Sequence, residues 1–422
     1  MLAEFNVANF RSIKEKQTLS LIAAPISSRD KVDENNVIEL LDGHKLLKSV
    51  AIYGANGSGK SNLIRALLRM MRFIERAFQD AEEGNTLEPF LLDEKYVKKP
   101  IHFELVFYIR TKRYRYGFEV TNEKITAEWL FGPARKNEVE YFTRLAKKVE
   151  VNKASFKEGV GLDTGNLQDS VLFLNVVSAL GGTISSEIKR YFRESIVITS
   201  GINDRGFLSI SRGMLKDPKM RPRIMQLLKA ADTGISDVRS VNSEEMVIGK
   251  GGFPSEIQKR IEQGEKIDFL VSFREIKNRE HKDLSRVFLF HAFESEGTKR
   301  LFAYAGPIME SLISGSALVI DEFDARLHPS LTRKIIELFN STEYNPKNAQ
   351  LIFVTHDITL LDSTLLRRDQ IYFTEKGSAG ETSIYSLLNI GGVRNDASFE
   401  KDYIRGKYGA VPYLGNFNSL LK

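Results

Sequence analysis

The chain has 422 residues, 42% hydrophobic and 27% charged, which suits two or three soluble domains with ample core. It contains no cysteine, so disulfides, thiolate metal sites and cysteine nucleophiles are excluded. The 61 basic residues barely exceed the 55 acidic ones, and the net charge of +6 comes without a polybasic tail, which is only a mild pull toward polyanions.

The N-terminal "MLAEFNVANF" carries Glu4 and Asn6 where a signal peptide needs its apolar stretch, and no run reaches the ~18 apolar residues of a membrane span. A cytoplasmic location without membrane contact is the expectation. Alternation over residues 4–13 predicts an edge strand. After a polar connection, "SVAIY" leads into "GANGSGKS" and then the helix-like "NLIRALLRMMRFI". This is G-x-x-x-x-G-K-[ST] in its proper strand–loop–helix context, a loop that binds phosphate. Gly54, Gly57 and Gly59 let the backbone turn its N–H groups inward around a β-phosphate, and Asn56, Ser58 and Asn62 complete the expected nucleotide-binding set. Lys60 is expected to reach the β- and γ-phosphates, and Ser61 to ligate Mg²⁺.

A helix is predicted over residues 62–83. Two β-rich runs in "IHFELVFYIRTKRYRYGFEV" predict a hairpin around Thr111-Lys112, continued by "KITAEWLFG". From about residue 166 to residue 236 the periodicity turns helical, as in "DSVLFLNVVSAL" and "PRIMQLLKAADTGI", which predicts an inserted helical lobe. Strand character resumes in "KIDFLVSFREI" and "RVFLFHAFES", and "TKRLFAYAGPIMESL" is helical in spacing apart from Gly306-Pro307. The continuously apolar "SALVIDEFD" and "AQLIFVTHD", separated by the helix-like "LTRKIIELFN", are the pattern of a buried parallel sheet.

Asp321 ends the first of these strands, where ligands sit in parallel sheets, and is expected to hold Mg²⁺. Glu322 beside it is placed to polarise an attacking water. His356 ends the second strand and is read as a γ-phosphate sensor, with Asp357 or a carbonyl fixing its other ring nitrogen. With Lys60, these two form the expected catalytic set. Ser295-Glu296-Gly297-Thr298 opens a helix, either as a simple cap or as a second phosphate contact. His44, His102, His281 and His291 lack such a context and are read as structural.

In order, "GANGSGKS", "ESEGT", "VIDEFDARLHP" and "FVTHD" resemble an ABC-type ATPase of the structural-maintenance-of-chromosomes (SMC) and RecF kind, and "FNVANFRSIKE" resembles that group's first strand. Ser-x-Gly-Thr and "YIRGKYGAVPYLG" are similar to the stand-alone AAA-type ATPases of bacterial antiphage and abortive-infection operons, called RloA-like. The resemblance implies an α/β P-loop NTPase head with a mixed parallel sheet, an antiparallel β-subsheet and an inserted helical lobe. Residues 1–130 would be the N-terminal part of the head, 131–265 the mainly helical insert, and 266–422 the C-terminal part with a docking tail. It further implies ATP and Mg²⁺ as cofactors, and a homodimer or higher oligomer that sandwiches two ATP molecules. Ser295, Gly297 and Thr298 of one protomer would complete the other's site. The output would be control of a partner effector, a nuclease encoded nearby.

Glu294 and Glu296 depart from that group's Leu-Ser-Gly-Gly-Gln signature, His328 stands where its dimer-contacting loop usually ends in Asp, and no glutamine loop is obvious, although Gln79 or a residue of strand 101–109 could serve. The alternative is a repair or recombination ATPase that binds DNA directly. Arg110, Lys112, Arg113 and Arg115, interleaved with Tyr114 and Tyr116, or Arg212, Lys216, Lys219, Arg221 and Arg223, would contact the nucleic acid. In the tail, Tyr403, Tyr408 and Tyr413 with Arg405 and Lys407 compose either a docking surface or a segment packed on its own head.

Overall fold

The computed structural model describes residues 1–26, 32–75, 87–134, 138–162, 165, 167–200, 205–243, 259, 263, 265–275, 285–394 and 397–412. The chain divides into two compact units. The larger comprises Met1–Ser200, Ser311–Asp324 and Arg333–Lys422; the smaller comprises Gly201–Glu310 and Ala325–Thr332.

In chain order the elements are β1 (Leu2–Ala8), β2 (Gln17–Ser20), β3 (Val37–Glu39), β4 (Lys45–Leu47), β5 (Ser49–Gly54) and α1 (Lys60–Glu75). There follow β6 (Ile101–Ile109), β7 (Lys112–Val120), β8 (Ile125–Pro133), β9 (Glu138–Leu145), β10 (Lys148–Val151), α2 (Phe173–Ala179), α3 (Thr183–Glu194) and β11 (Ile196–Ser200). Next come α4 (Arg205–Met214), α5 (Arg221–Ala230), β12 (Asp237–Asn242), β13 (Asp268–Glu275), β14 (Ser285–Leu289), one helical turn (Phe290–Phe293) and α6 (Glu296–Ser314). The chain closes with β15 (Ala317–Asp321), α7 (Pro329–Asn340), β16 (Gln350–Val354), β17 (Ile371–Lys376), β18 (Thr382–Ser386) and α8 (Phe399–Ile404).

A six-stranded sheet in the order β11-β15-β16-β5-β17-β18 forms the centre of the larger unit, parallel except for β18. Every residue of β5, β15 and β16 is buried, which is why these strands carry unbroken apolar runs rather than alternation. Register pairs Ile320 with Phe353 and Val354 with Ile52, so β15 and β16 finish level and β5 runs on to Gly54 at the same end of the sheet. Buried Leu63, Leu67, Met70, Met71 and Ile74 recur at helical spacing along α1 and share one hydrophobic cluster with Val50, Ile52, Val319 and Ile352.

A seven-stranded antiparallel sheet in the order β10-β9-β8-β7-β6-β1-β2 supplies the rest of that core, through Phe103, Phe107, Phe118 and Phe142 among others. β1 is not the expected edge strand: it lies between β6 and β2, because the short run Gln17–Ser20 pairs along its outer side. Described residues of the segment 131–265 include β9 to β12 as well as α2 to α5. At the inner face of β8, the fully buried Glu128 accepts hydrogen bonds from the amides of Phe173 (2.6 Å) and Leu174 (3.0 Å) at the start of α2 and from the Tyr116 hydroxyl (3.0 Å). The equally buried Arg144 guanidinium lies 3.8 Å from the same carboxylate.

The smaller unit holds the three-stranded antiparallel sheet β12-β13-β14 and a core of Ile224, Leu228, Val238, Leu270, Phe290, Leu301 and Phe302. α6 continues unbroken through Gly306-Pro307. Pro307 has no N–H to offer Ala303, and the Ser211 hydroxyl donates to that carbonyl instead (2.9 Å) while accepting from the Gly306 N–H (2.8 Å). Among the described residues no helix is long and apolar enough to cross a membrane.

Candidate functional site

The phosphate loop leaves the buried end of β5 and runs into α1. Asn56 and Gly57 form its exposed tip, while Ser58 is buried. Gly59 has φ +107°, and a Cβ there would collide with the Thr382 side chain, so only glycine fits both backbone and packing. Thr382 Oγ1 in turn lies 2.8 Å from Ser58 O and 2.8 Å from Ser12 Oγ, and Ser58 Oγ bonds Thr374 Oγ1 at 2.6 Å. The loop is thus clamped from β17, β18 and the turn after β1. Lys60, only 6% exposed, donates from Nζ to the loop's own carbonyls at Gly54 (2.7 Å) and Ala55 (2.9 Å). Burial pushes its pKa below the usual lysine value, with Asp321, Glu322 and Asp324 opposing the shift. The Asn62 side-chain amide donates to Ser12 Oγ (2.7 Å) and ties the first turn of α1 to the N-terminal segment, while its backbone N–H donates to Gly59 O of the loop (3.0 Å). Ser61, half-buried, follows Lys60 in that turn.

Asp321 ends β15, level with the loop's strand, and its buried Oδ1 has no hydrogen-bond partner among the described residues. A buried carboxylate oxygen is costly without a partner, and a hard divalent cation is the partner this donor chemistry suits. Asp321 and the Ser61 hydroxyl are the residues that would hold Mg²⁺. Glu322 sits at φ +55°, a left-handed conformation costing about 1–3 kcal/mol for a non-glycine residue.

His356 is exposed beyond the end of β16, and its backbone N–H donates to Asp324 Oδ1 (3.2 Å), a residue 32 positions earlier that no local pattern links to it. Surrounding protein and then the Lys60 charge push the imidazole pKa below 6.5, against Asp324, Glu322 and Asp321. Asp357 does not orient the ring. Its carboxylate caps the following turn, accepting from Thr359 N–H (3.0 Å) and Oγ1 (2.6 Å). Lys60, Asp321, Glu322 and His356 are therefore within electrostatic reach of one another, with Asp324 added to the set.

In the smaller unit Ser295 caps α6. Its Oγ accepts the Thr298 N–H (3.1 Å) and lies 2.8 Å from Thr298 Oγ1, so the capping role is realised. Gly297 is needed for close approach, since a Cβ would stand 2.9 Å from the Arg326 carbonyl oxygen. Glu296 is bridged by Lys299 (2.9 Å) and Arg326 (2.5 Å). Glu294, where the common signature has Leu, is buried and bonds Ser272 Oγ and Arg274, each at 2.6 Å. Ser295, Gly297, Thr298, Arg274, Arg326 and His328 border a cavity of about 520 Å³.

A family model described as "AAA domain, putative AbiEii toxin, Type IV TA system" matches residues 49–169 and 216–362. The chain belongs to this family. Among curated proteins no match was found. Solved structures with a similar trace include the SMC head domain from Thermotoga maritima (15% identity, 91% of this chain and 98% of that one, TM-score 0.41). Others are the SmcHead bound to the C-winged helix domain of ScpA (14%, 91% and 97%, 0.41) and cbiO1 from Clostridium perfringens, part of the ABC transporter complex cbiONQ (14%, 88% and 91%, 0.26). These superpositions are loose. The P-loop α/β fold is read from the sheet order and the phosphate loop of the AAA domain itself.

Elsewhere in this AAA-domain protein the basic hairpin leaves Arg110 and Lys112 exposed but does not present rings and guanidinia on one surface. Tyr114 and Tyr116 are 1% and 0% exposed, packed in the core and unable to stack on bases. Arg113 and Arg115 are neutralised by Glu138 and Glu104. Of the second basic group, Arg212 bonds Ser240 Oγ and Asp268 O, and Arg221 pairs with Asp237. The tail tyrosines are not an open docking surface either: Tyr403 and Tyr408 are buried with ring centroids 5.3 and 5.8 Å from Phe373 of β17. Tyr413 and Gln79 lie outside the described residues.

Proposed function

We propose that this AAA-domain ATPase is a molecular switch: two copies close around ATP and Mg²⁺, and hydrolysis lets them part. Within a bacterial antiphage module of the RloA-like kind it would regulate a partner effector, a nuclease encoded beside it, in the cytoplasm. The observation that carries this reading is the convergence of Lys60, Asp321, Glu322, Asp324 and His356 on one phosphate loop, with a buried carboxylate oxygen still open to a cation. The toxin–antitoxin wording of the family description supports the defence setting. The three-part organisation at 1–130, 131–265 and 266–422 is proposed for the functional modules.

The loop amides, with Gly54, Asn56, Gly57, Ser58 and Gly59, receive the β-phosphate, and Lys60 exchanges the Gly54 and Ala55 carbonyls for phosphate oxygens. Ser61 and Asp321 would hold Mg²⁺, which when bound would supply neutralisation of the phosphate charge. Glu322 takes a proton as water attacks. The new O–P bond forms at the γ-phosphorus, its bond to the bridging oxygen breaks, and ADP leaves with that electron pair. Neutral His356 donates a hydrogen bond to the γ-phosphate. Ser295, Gly297 and Thr298 meet the γ-phosphate held by the other copy, so closure depends on its presence.

Glu322→Gln tests the reading. This variant is expected to bind ATP, to turn over on the order of 100-fold more slowly, and to accumulate as a dimer in sedimentation with ATP. Parental turnover, or a variant that stays monomeric with ATP, would overturn it.

A further inference from the structure

We infer that the cleft between residues 390–394 and the turn after α8 captures the C-terminal carboxylate of a partner polypeptide whose last side chain is apolar. Only the identity of that polypeptide as a regulated effector rests on the reading above. The cleft has a volume of about 500 Å³, inside the range of about 300–1,000 Å³ usual for ligand sites, and no residue of the phosphate loop lines it.

One wall supplies donors. The amides of Ile390 and Ala397 are used within the fold, on Leu387 O (3.3 Å) and Arg394 O (3.1 Å), whereas those of Gly391, Gly392, Val393 and Arg394 have no acceptor among the described residues. Both glycines are exposed, and Gly392 stands at φ +78°, so the chain turns there with no side chain covering the N–H groups. Successive amides in such a turn suit an anion. The Val393 carbonyl accepts from Arg368 Nη1 (2.5 Å), which pins the loop and adds a guanidinium beside it.

The cations that line the cleft are not equivalent. Lys407 pairs with Asp402 Oδ1 (2.6 Å) and the Tyr408 hydroxyl donates to Oδ2 (3.4 Å), so that carboxylate is satisfied by its neighbours. Arg394 is exposed and has no partner among the described residues. A carboxylate uses this combination, one oxygen accepting from the guanidinium and the other from the amides. The rest of the lining is apolar: Ile390, Val393, Ala397 and the ring of Tyr408. An inorganic anion would leave those groups uncovered, while a chain terminus brings an apolar side chain next to its own carboxylate, a pairing that backbone turns of this kind recognise. The opposite wall is held in advance. Tyr403 stacks on Phe373 with ring centroids 5.3 Å apart, and the Tyr385 hydroxyl donates to Tyr408 O (2.8 Å), so little ordering is left to be done on binding.

The experiment uses the full chain, immobilised without nucleotide, and a pool of dodecapeptides of randomised sequence in two forms, with free carboxyl ends and amidated. The free pool should be retained about tenfold better than the amidated one, and the retained peptides should be enriched in apolar last residues. Arg394→Glu and Gly391→Pro should each lower retention about tenfold, the first by reversing a charge and the second by deleting one N–H. Ile390 before that proline is already extended (φ −87°, ψ 117°), as the substitution requires. Gly391→Ala keeps the N–H, has open space for its Cβ and should retain peptides like the parent. Parental affinity for MgATP reports that each variant is folded. Equal retention of the amidated pool, retention unaffected by Arg394→Glu, or no retention by the parent would overturn the capture site and leave the nucleotide switch standing. Retention as expected, with Glu322→Gln hydrolysing at the parental rate, would keep the capture site and remove the switch.

Discussion

At the start of α1, Gly59 lies against Thr382, Ser58 is buried and Lys60 is clasped by carbonyls. At the start of α6, Ser295 and Glu296 are exposed, and the turn is held by a cap and an ion pair. Both are glycine-bearing helix ends suited to an anion. One is built into a sheet core and has lysine and carboxylates within reach; the other is a surface device with few fixed partners. An anion site made of exposed groups has little affinity by itself, so the second gains meaning only when another surface desolvates it.

The largest expected effect breaks the first region. Lys60→Ala should reduce MgATP affinity on the order of 1,000-fold in calorimetric titration, and near-parental binding would mean the loop is a structural turn. A finer test concerns the clamp. Thr382→Val removes the hydroxyl shared by Ser58 O and Ser12 Oγ, and should raise KM for ATP about fivefold with kcat nearly unchanged. A kcat loss without a KM change would show that Thr382 acts on the chemistry instead.

The smallest effect concerns what the rigidity costs. Lys48, just before β5, is 1% exposed with a long bond to Asn340 O (3.3 Å), and burial lowers its pKa to about 8. The unfolded lysine titrates near 10.4, so between these values the unfolded chain binds more protons and stability rises with pH. The parental chain should gain about 1 kcal/mol relative to Lys48→Met between pH 9 and pH 10 in urea titrations. Parallel pH profiles would place the Lys48 ammonium in contact with solvent.

The strands that carry the site were legible because parallel strands buried on both faces leave continuous apolar runs, and the carboxylates stand at their ends. The roles of Asp324 and Thr382 were not, since each depends on which strand ends meet across the sheet, and nothing local to Thr382 marks it as touching residue 59. The basic hairpin could have been read better. Period-two alternation puts Tyr114, Tyr116 and Phe118 on one face and Arg113 and Arg115 on the other, so rings and guanidinia cannot share a surface. In the tail, buried Tyr403 and Tyr408 show that aromatic content alone does not separate a docking patch from self-packing. Pro307 misled in the opposite sense, because its repair comes from a serine 92 residues away from the carbonyl it serves.

Glu128 has one more consequence. Its carboxylate fastens the leading amide of α2 to a strand 45 residues earlier in the chain. Until β8 has joined its neighbours, those amides have nothing but water to hold them, and until the helix is in place a charge is walled in beside Arg144 without its full complement of donors. Neither half is comfortable alone. Sheet and helix are therefore expected to assemble concertedly, with the amides of α2 and β8 opening together in hydrogen exchange.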